Sequence, residues 1–284
     1  MSISVYDGTQ WVSVSSDSTT LPENADTKVT FIYSSDSTWT LSTGYRYATV
    51  HCVGAGGGSG NTKGETNDQD DNAAASGGGG GGSWTWRNYG YNDLVSGAEI
   101  TVGTGGAGAE GNDIGGPYTS YPKESGGDGG ASIFNPTAVG AVSITANGGL
   151  GSAGACEDEN SSGAPGSSYN SASNQFFSFV GGKGQTGEKG VGGNPNAGGG
   201  NPGFVQVRAG AALTSTVTYS DSEGDQPLWG GDFFGQTISG GDNAGKAFGQ
   251  GANGYNDLKN TTGQGWFIKG SPGCDGVVVV VEYK

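Results

Sequence analysis

The chain has 284 residues, of which 61 are glycine and 9 proline, and a formal net charge of −15. That charge disfavours nucleic acid and anionic membrane as partners, because both are held chiefly through cationic side chains. The glycine content alone points toward disorder, but 6 Trp, 12 Tyr and 10 Phe argue against it, since disordered chains are poor in aromatics.

Residues 1–26 read as a separate arm. Ser2 to Tyr6 and Gln10 to Val14 alternate as two short strands around Asp7-Gly8, a strong hairpin signal. A hairpin alone is marginal in water, so the arm is expected to add to a partner or to the body of the protein. MSISVYDGTQWVSV has neither the basic nor the apolar region of a secretory signal. No run has the length of a transmembrane helix.

Residues 27–284 read as one glycine-rich domain with strands at both ends, about 45–53 and 276–284. KVTFIY (28–33) is a first strand. In the next, Tyr45, Tyr47, Thr49, His51 and Val53 occupy one face, and Arg46, Ala48, Val50 and Cys52 the other. At the far end GVVVVVEYK is a continuous apolar run of the kind a strand buried on both faces shows. The two terminal strands bracket everything glycine-rich and are expected in one sheet.

Between them glycine blocks alternate with polar and aromatic segments. The blocks are 54–60, 77–82, 103–116, 126–130, 148–154 and 181–203, with looser sets near Gly230, Gly240, Gly249 and Gly263. From Gly181 to Gly193 glycine recurs with a strict period of three, at 181, 184, 187, 190 and 193. Three is the period of the extended polyproline II helix, which leaves every backbone N–H and C=O needing an outside partner. Water would make such a segment a linker, sustained proline would make it collagen-like, and neighbouring polyglycine helices would make it a core. An ordered glycine costs roughly 0.5 to 1 kcal/mol more than alanine, and a net backbone hydrogen bond returns only about 0.5 to 1.5 kcal/mol. A lone glycine helix is therefore disordered, whereas helices paired on several sides are ordered. The expected fold class is all-β or irregular: a short β-sheet bracketing a bundle of packed polyglycine helices, with almost no α-helix.

Several motifs suggest chemistry. Gly103-Thr-Gly105-Gly-Ala-Gly108 matches GxGxxG, but a dinucleotide site needs a helix to follow, and more glycine follows here. His51 is the only histidine, which removes most histidine-dependent catalytic and metal schemes. Cys52, Cys156 and Cys274 form no CxxC motif and read as buried or idle thiols. Asp68, Asp70 and Asp71 are weak Ca²⁺ candidates, as are Glu157, Asp158 and Glu159; neither group has EF-hand spacing. No cofactor and no enzymatic activity is expected. The aromatics Trp84, Trp86, Tyr89, Tyr118, Tyr121, Phe176, Phe177 and Trp229 have two available roles. They jacket the glycine helices, or they form rigid contact area for a sugar or a protein loop.

The strand leading into Val53-Gly-Ala-Gly-Gly-Gly58, the block Val102 to Gly108 and the closing Gly276 to Tyr283 together resemble the glycine-rich domain of bacteriophage tail proteins. The architecture is also loosely similar to the receptor-binding adhesins at the long tail-fibre tips of T-even-like phages. The resemblance covers about residues 45–284 and leaves the N-terminal arm outside. It implies a sandwich of polyglycine helices with host-contacting segments between glycine motifs, and no catalytic residue. On that basis the expected function is a non-enzymatic virion component, a tail-fibre or spike protein for host attachment, with the eight aromatics as candidate receptor contacts. The expected partners are a bacterial surface glycan or outer-membrane protein, other tail proteins through the N-terminal region, and further copies of the chain. The alternative is a purely structural virion or extracellular matrix protein.

Overall fold

The computed structural model describes residues 3–6, 11–14, 28–63, 76–110, 124–156, 177–179, 248–252 and 267–284. The period-three stretch 181–193 lies outside them. So do Tyr118, Tyr121, Phe176, Trp229, the acids at 68, 70 and 71, and those at 157–159.

Fourteen strands and one four-residue helix are described. The arm is the expected hairpin, with β1 (Ile3–Tyr6) antiparallel to β2 (Trp11–Val14). The body opens with β3 (Lys28–Tyr33), β4 (Ser37–Trp39) and β5 (Tyr47–Val53). β5 begins two residues later than the alternation suggests, because a turn bonds the Tyr45 N–H to the Ser42 carbonyl and places Gly44 at φ +89°. β14 (Val277–Tyr283) pairs antiparallel with β5 on one side and with β3 on the other. The two terminal strands therefore share a sheet, as expected.

That sheet is larger than the short one expected. β7 (Trp84–Gly90) and β12 (Phe177–Phe179) extend it to five strands in the order β12-β7-β5-β14-β3. A second antiparallel sheet runs β10 (Ile144–Ala146), β9 (Ser132–Pro136), β8 (Ala98–Thr101), β4. The two pack face to face around Val50, Cys52, Tyr89, Val278 and Val280 from the first and Trp39, Ile100, Phe134 and Ile144 from the second, with Leu94 of α1 (Tyr91–Leu94) alongside. The opposite face of β14 buries Val277, Val279 and Val281 with Val53, Trp84 and Phe248. Burial on both faces explains the uninterrupted valine run.

Each strand of this sandwich that adjoins a glycine block continues straight into it. The blocks form a bundle in which the segment 54–61 is central. Its N–H groups point in three directions in turn, with the period of the polyproline II helix. Those of Gly54 and Gly57 donate to the Ser83 and Gly80 carbonyls. Those of Ala55, Gly58 and Asn61 donate to Gly130, Gly127 and Glu124, and those of Gly56 and Ser59 to Cys274 and Ser271. In each series the acceptor number falls as the donor number rises, so the segments 76–83, 124–131 and 269–276 run antiparallel to the centre. The central carbonyls accept from three parallel segments: 103–110 (Gly106 and Ala109), 147–154 (Gly149 and Ser152) and 248–252 (Ala252). The six neighbours also bond to one another in a closed ring, each antiparallel member donating to the parallel members beside it. Among the described residues the bundle is thus six segments around one, alternating in direction.

This arrangement makes a buried glycine backbone tolerable, since an unpaired buried amide costs about 1 to 3 kcal/mol. It also requires glycine sterically. A Cβ on Gly54, Gly56, Gly57 or Gly58 would fall onto the backbone carbonyl of Asn147, Gln250, Leu150 or Ala107.

Candidate functional site

The bundle has two unlike ends. At one, six of its seven segments join the sandwich through β5, β7, β8, β9, β10 and β14. At the other, β6 (Thr62–Lys63) pairs parallel with β11 (Ala155–Cys156) and antiparallel with β13 (Phe267–Ile268), which continue the segments 54–61, 147–154 and 269–276. Asn61 closes the central segment there. Its amide donates to the Glu110 carbonyl at 3.1 Å, and its Oδ1 accepts from the Glu124 N–H at 2.9 Å.

Polar side chains replace glycine where a backbone partner is missing. The Gly60 N–H, next in the series after Gly54 and Gly57, meets the Ser152 hydroxyl at 3.1 Å instead of a carbonyl. That hydroxyl in turn donates to the Gly77 carbonyl, so it bridges the interrupted pairing. On the rim, the Asp275 and Asp128 carboxylates accept from the Gly105 and Gly151 N–H groups at 2.7 and 2.9 Å. Sequence reading misses all four of these residues. The signal available is a lone Asn, Ser or Asp set among glycines.

Of the predicted contact aromatics, Trp84, Trp86, Tyr89 and Phe177 are among the described residues. Trp84, Trp86 and Tyr89 all lie on β7, in the sandwich and not between glycine blocks as exposed anchors. Trp84 is 5% exposed and Tyr89 2%. Tyr89 stacks obliquely on Phe134 and donates its hydroxyl to the Val142 carbonyl at 2.9 Å. These two rings are core, one on each face of β7, because both faces of the strand are covered at these positions. Trp86 is half-buried, and Phe177 sits opposite it in register on β12.

The chemical motifs resolve into packing. The GxGxxG glycines belong to segment 103–110, where a Cβ on Gly103, Gly105, Gly106 or Gly108 would strike the backbone of a neighbouring segment. His51 lies between the rings of Trp84 and Trp86, with centroids at 5.8 and 6.1 Å. Cys52 and Cys274 are buried free thiols. Burial pushes the Cys52 thiol well above its ordinary range, which removes the thiolate a nucleophile needs. Among the described residues no group of three or more His, Cys, Asp or Glu could hold a metal ion.

One buried carboxylate stands apart. Glu282, on β14 at the end of the sandwich away from the bundle, accepts from the Trp39 indole at 3.0 Å and from the Ser42 N–H at 3.3 Å. Burial raises its carboxyl above the ordinary range, and these hydrogen bonds hold it partly back. It thereby ties the turn before β5 to the last strand.

Residues 32–283 match the family model described as a glycine-rich domain. The chain belongs to this glycine-rich domain family. The matched span of this glycine-rich protein runs from within β3 to the end of β14, so it takes in the sandwich and the bundle together. Comparison with curated proteins gives no match.

Proposed function

We propose that the chain is a non-enzymatic bacteriophage virion protein, a tail-fibre or spike component that attaches the particle to its host through the residues inserted between glycine segments. The observation that carries this reading is the polarity of the bundle. At the end away from the sandwich the described chain leaves at Lys63, Glu110 and Cys156 and returns at Ser76, Glu124 and Phe267. Residues 64–75 and 111–123 therefore begin and end on the same end of the scaffold. A core built from paired backbone places few demands on what is inserted there, and rigidly positioned insertions are where binding function concentrates. The partners on this reading are a bacterial surface glycan or outer-membrane protein at that end and other tail proteins at residues 1–26. The charge of −15 speaks against nucleic acid.

The test replaces residues 64–75 and 111–123, singly and together, by short Gly-Ser connectors, and follows adsorption to host cells beside the melting temperature. Loss of adsorption at unchanged melting temperature is expected. Unimpaired adsorption by the doubly replaced protein sinks the attachment reading in favour of a structural virion or matrix role.

A further inference from the structure

The segment 76–83 pairs with the centre, with 147–154 and with 248–252, and one of its sides remains. Its N–H groups point in three directions in turn, as those of a polyproline II helix do. Gly79 and Gly82 donate to Ala252 and Gly249, and Gly80 and Ser83 to Leu150 and Asn147. The third direction, that of Gly78 and Gly81, points away from the centre, and no acceptor meets it among the described residues. Yet all eight residues of 76–83 are buried, whereas another outer segment, 103–110, exposes Thr104, Ala107 and Glu110.

The sheet shows which part of the chain approaches that side. β12 pairs with β7 on the side opposite β5. β5 and β7 continue into 54–61 and 76–83, and β12 leads into the period-three glycines that begin at Gly181. Ladder register is kept where strands pass into the bundle. Val53 faces Trp84 and Val277 in the ladders, and in the same two registers Gly54 bonds to Ser83 and Gly56 to Cys274. On β12, Phe179 faces Trp84. Carried on, that register sets residue 182 against Gly81 and residue 185 against Gly78.

We infer that the outer side of 76–83 is a docking surface for a further polyglycine helix, and that its occupant is residues 181–187 of the same chain. The occupant runs parallel to the centre, and its Gly182 and Gln185 carbonyls accept from Gly81 and Gly78. The glycine spacing meets an independent requirement of this register. Where an antiparallel segment accepts from the centre, the residue before the accepting one is glycine, as Gly82 is before Ser83, Gly129 before Gly130 and Gly273 before Cys274. A Cβ on any of the three would strike the carbonyl of the donor residue. The same rule asks for glycine at 181 and 184, and both are glycine. A register shifted by one residue would ask for it at Gln185 or at Val180 and Lys183.

By Gly187 the occupant stands level with Ser76, at the end of the bundle where 64–75 and 111–123 are inserted. Glu188 and the residues after it then start from that end. They belong to the surface offered to the host, a consequence that rests on the attachment reading; the docking itself does not.

The test uses the isotope-labelled full chain and reads scalar couplings across hydrogen bonds together with native-state amide exchange. Couplings are expected from the Gly81 nitrogen to the Gly182 carbonyl carbon and from the Gly78 nitrogen to that of Gln185. Both amides are expected to exchange at least about a hundredfold more slowly than in a free peptide. Gly184→Ala is expected to speed exchange at Gly78 about tenfold or more, whereas Gln185→Ala, which keeps the accepting carbonyl, leaves it at the wild-type rate. The inference is overturned if the wild-type amides exchange like a free peptide, if the couplings are missing or lead to another acceptor, or if Gly184→Ala leaves Gly78 at the wild-type rate. The couplings are read on the wild type, so they decide the question even where Gly184→Ala fails to fold. No host cell is present, so failure here leaves the attachment reading standing, and failure of adsorption leaves the docking standing.

Discussion

The bundle and the sandwich are built from one continuous chain by opposite means. In the sandwich, side chains do the work: Trp39, Phe134, Val278 and Val280 fill the space between two sheets, and the backbone pairs only within each sheet. In the bundle, side chains are nearly absent and the backbone pairs outward on every side, from Gly54 to Asn61 at its centre. Each kind of core is therefore limited by a different thing. The sandwich tolerates a change of shape if volume is kept, whereas the bundle tolerates no Cβ at Gly54, Gly56, Gly57 or Gly58 of its central segment.

The largest effect is accordingly expected from Gly58→Ala. Its methyl would fall on the Ala107 carbonyl, which is backbone and has no rotamer to yield. A loss on the order of 4 kcal/mol or more is expected, beyond the usual overpacking range. Urea unfolding checks the size, and native-state amide exchange tells whether bundle amides open before those of β14. Next is Phe134→Ala in the sandwich, with a cost of about 3 to 4 kcal/mol from lost burial and the cavity left behind. If exchange after this change speeds in the sandwich and not in the bundle, the two regions unfold separately and the contrast between them extends to their stability. Equal acceleration in both makes them one cooperative unit.

Ser152→Ala tests the bundle's dependence on complete pairing. It strips the Gly60 N–H and the Gly77 carbonyl of their shared partner inside the bundle. A loss of about 1 to 3 kcal/mol is expected from urea unfolding. Wild-type stability would mean that the pairing series closes without the hydroxyl.

The smallest effect concerns the sandwich's buried carboxylate. Because the Glu282 carboxyl is raised in the folded state, that state binds a proton more tightly than the unfolded chain does. Its contribution is fully present below the ordinary carboxyl value of about 4.3 and is lost as pH rises through the folded value. Stability should then rise as the solution is acidified across that window, and Glu282→Gln should flatten the rise. Parallel unfolding curves for wild type and variant against pH would remove this account.

Much of the sandwich is legible in the amino-acid sequence alone. The alternation of β5 and the valine run of β14 each state locally which faces are buried, because a strand's side chains repeat every two residues. The absence of long helices among the described residues is legible for the same reason. Trp84 and Tyr89 are harder, since alternation on β7 names two faces without saying that both are covered. Of the candidate contact residues on β7, only Trp86 keeps an accessible surface.

For the bundle, the sequence states a need: glycine blocks such as 54–60 and 77–82, without side chains, leave amides that only neighbouring backbone can pair. Who meets that need is settled by the tertiary structure. The choice of 54–61 as the centre, the alternating directions of its six neighbours, and the places of Asn61, Ser152 and the rim aspartates lie in no local pattern. A polyproline II helix makes no hydrogen bond to itself, so every partner comes from a distant part of the chain. Short-range sequence can then specify the geometry of each segment but not its company.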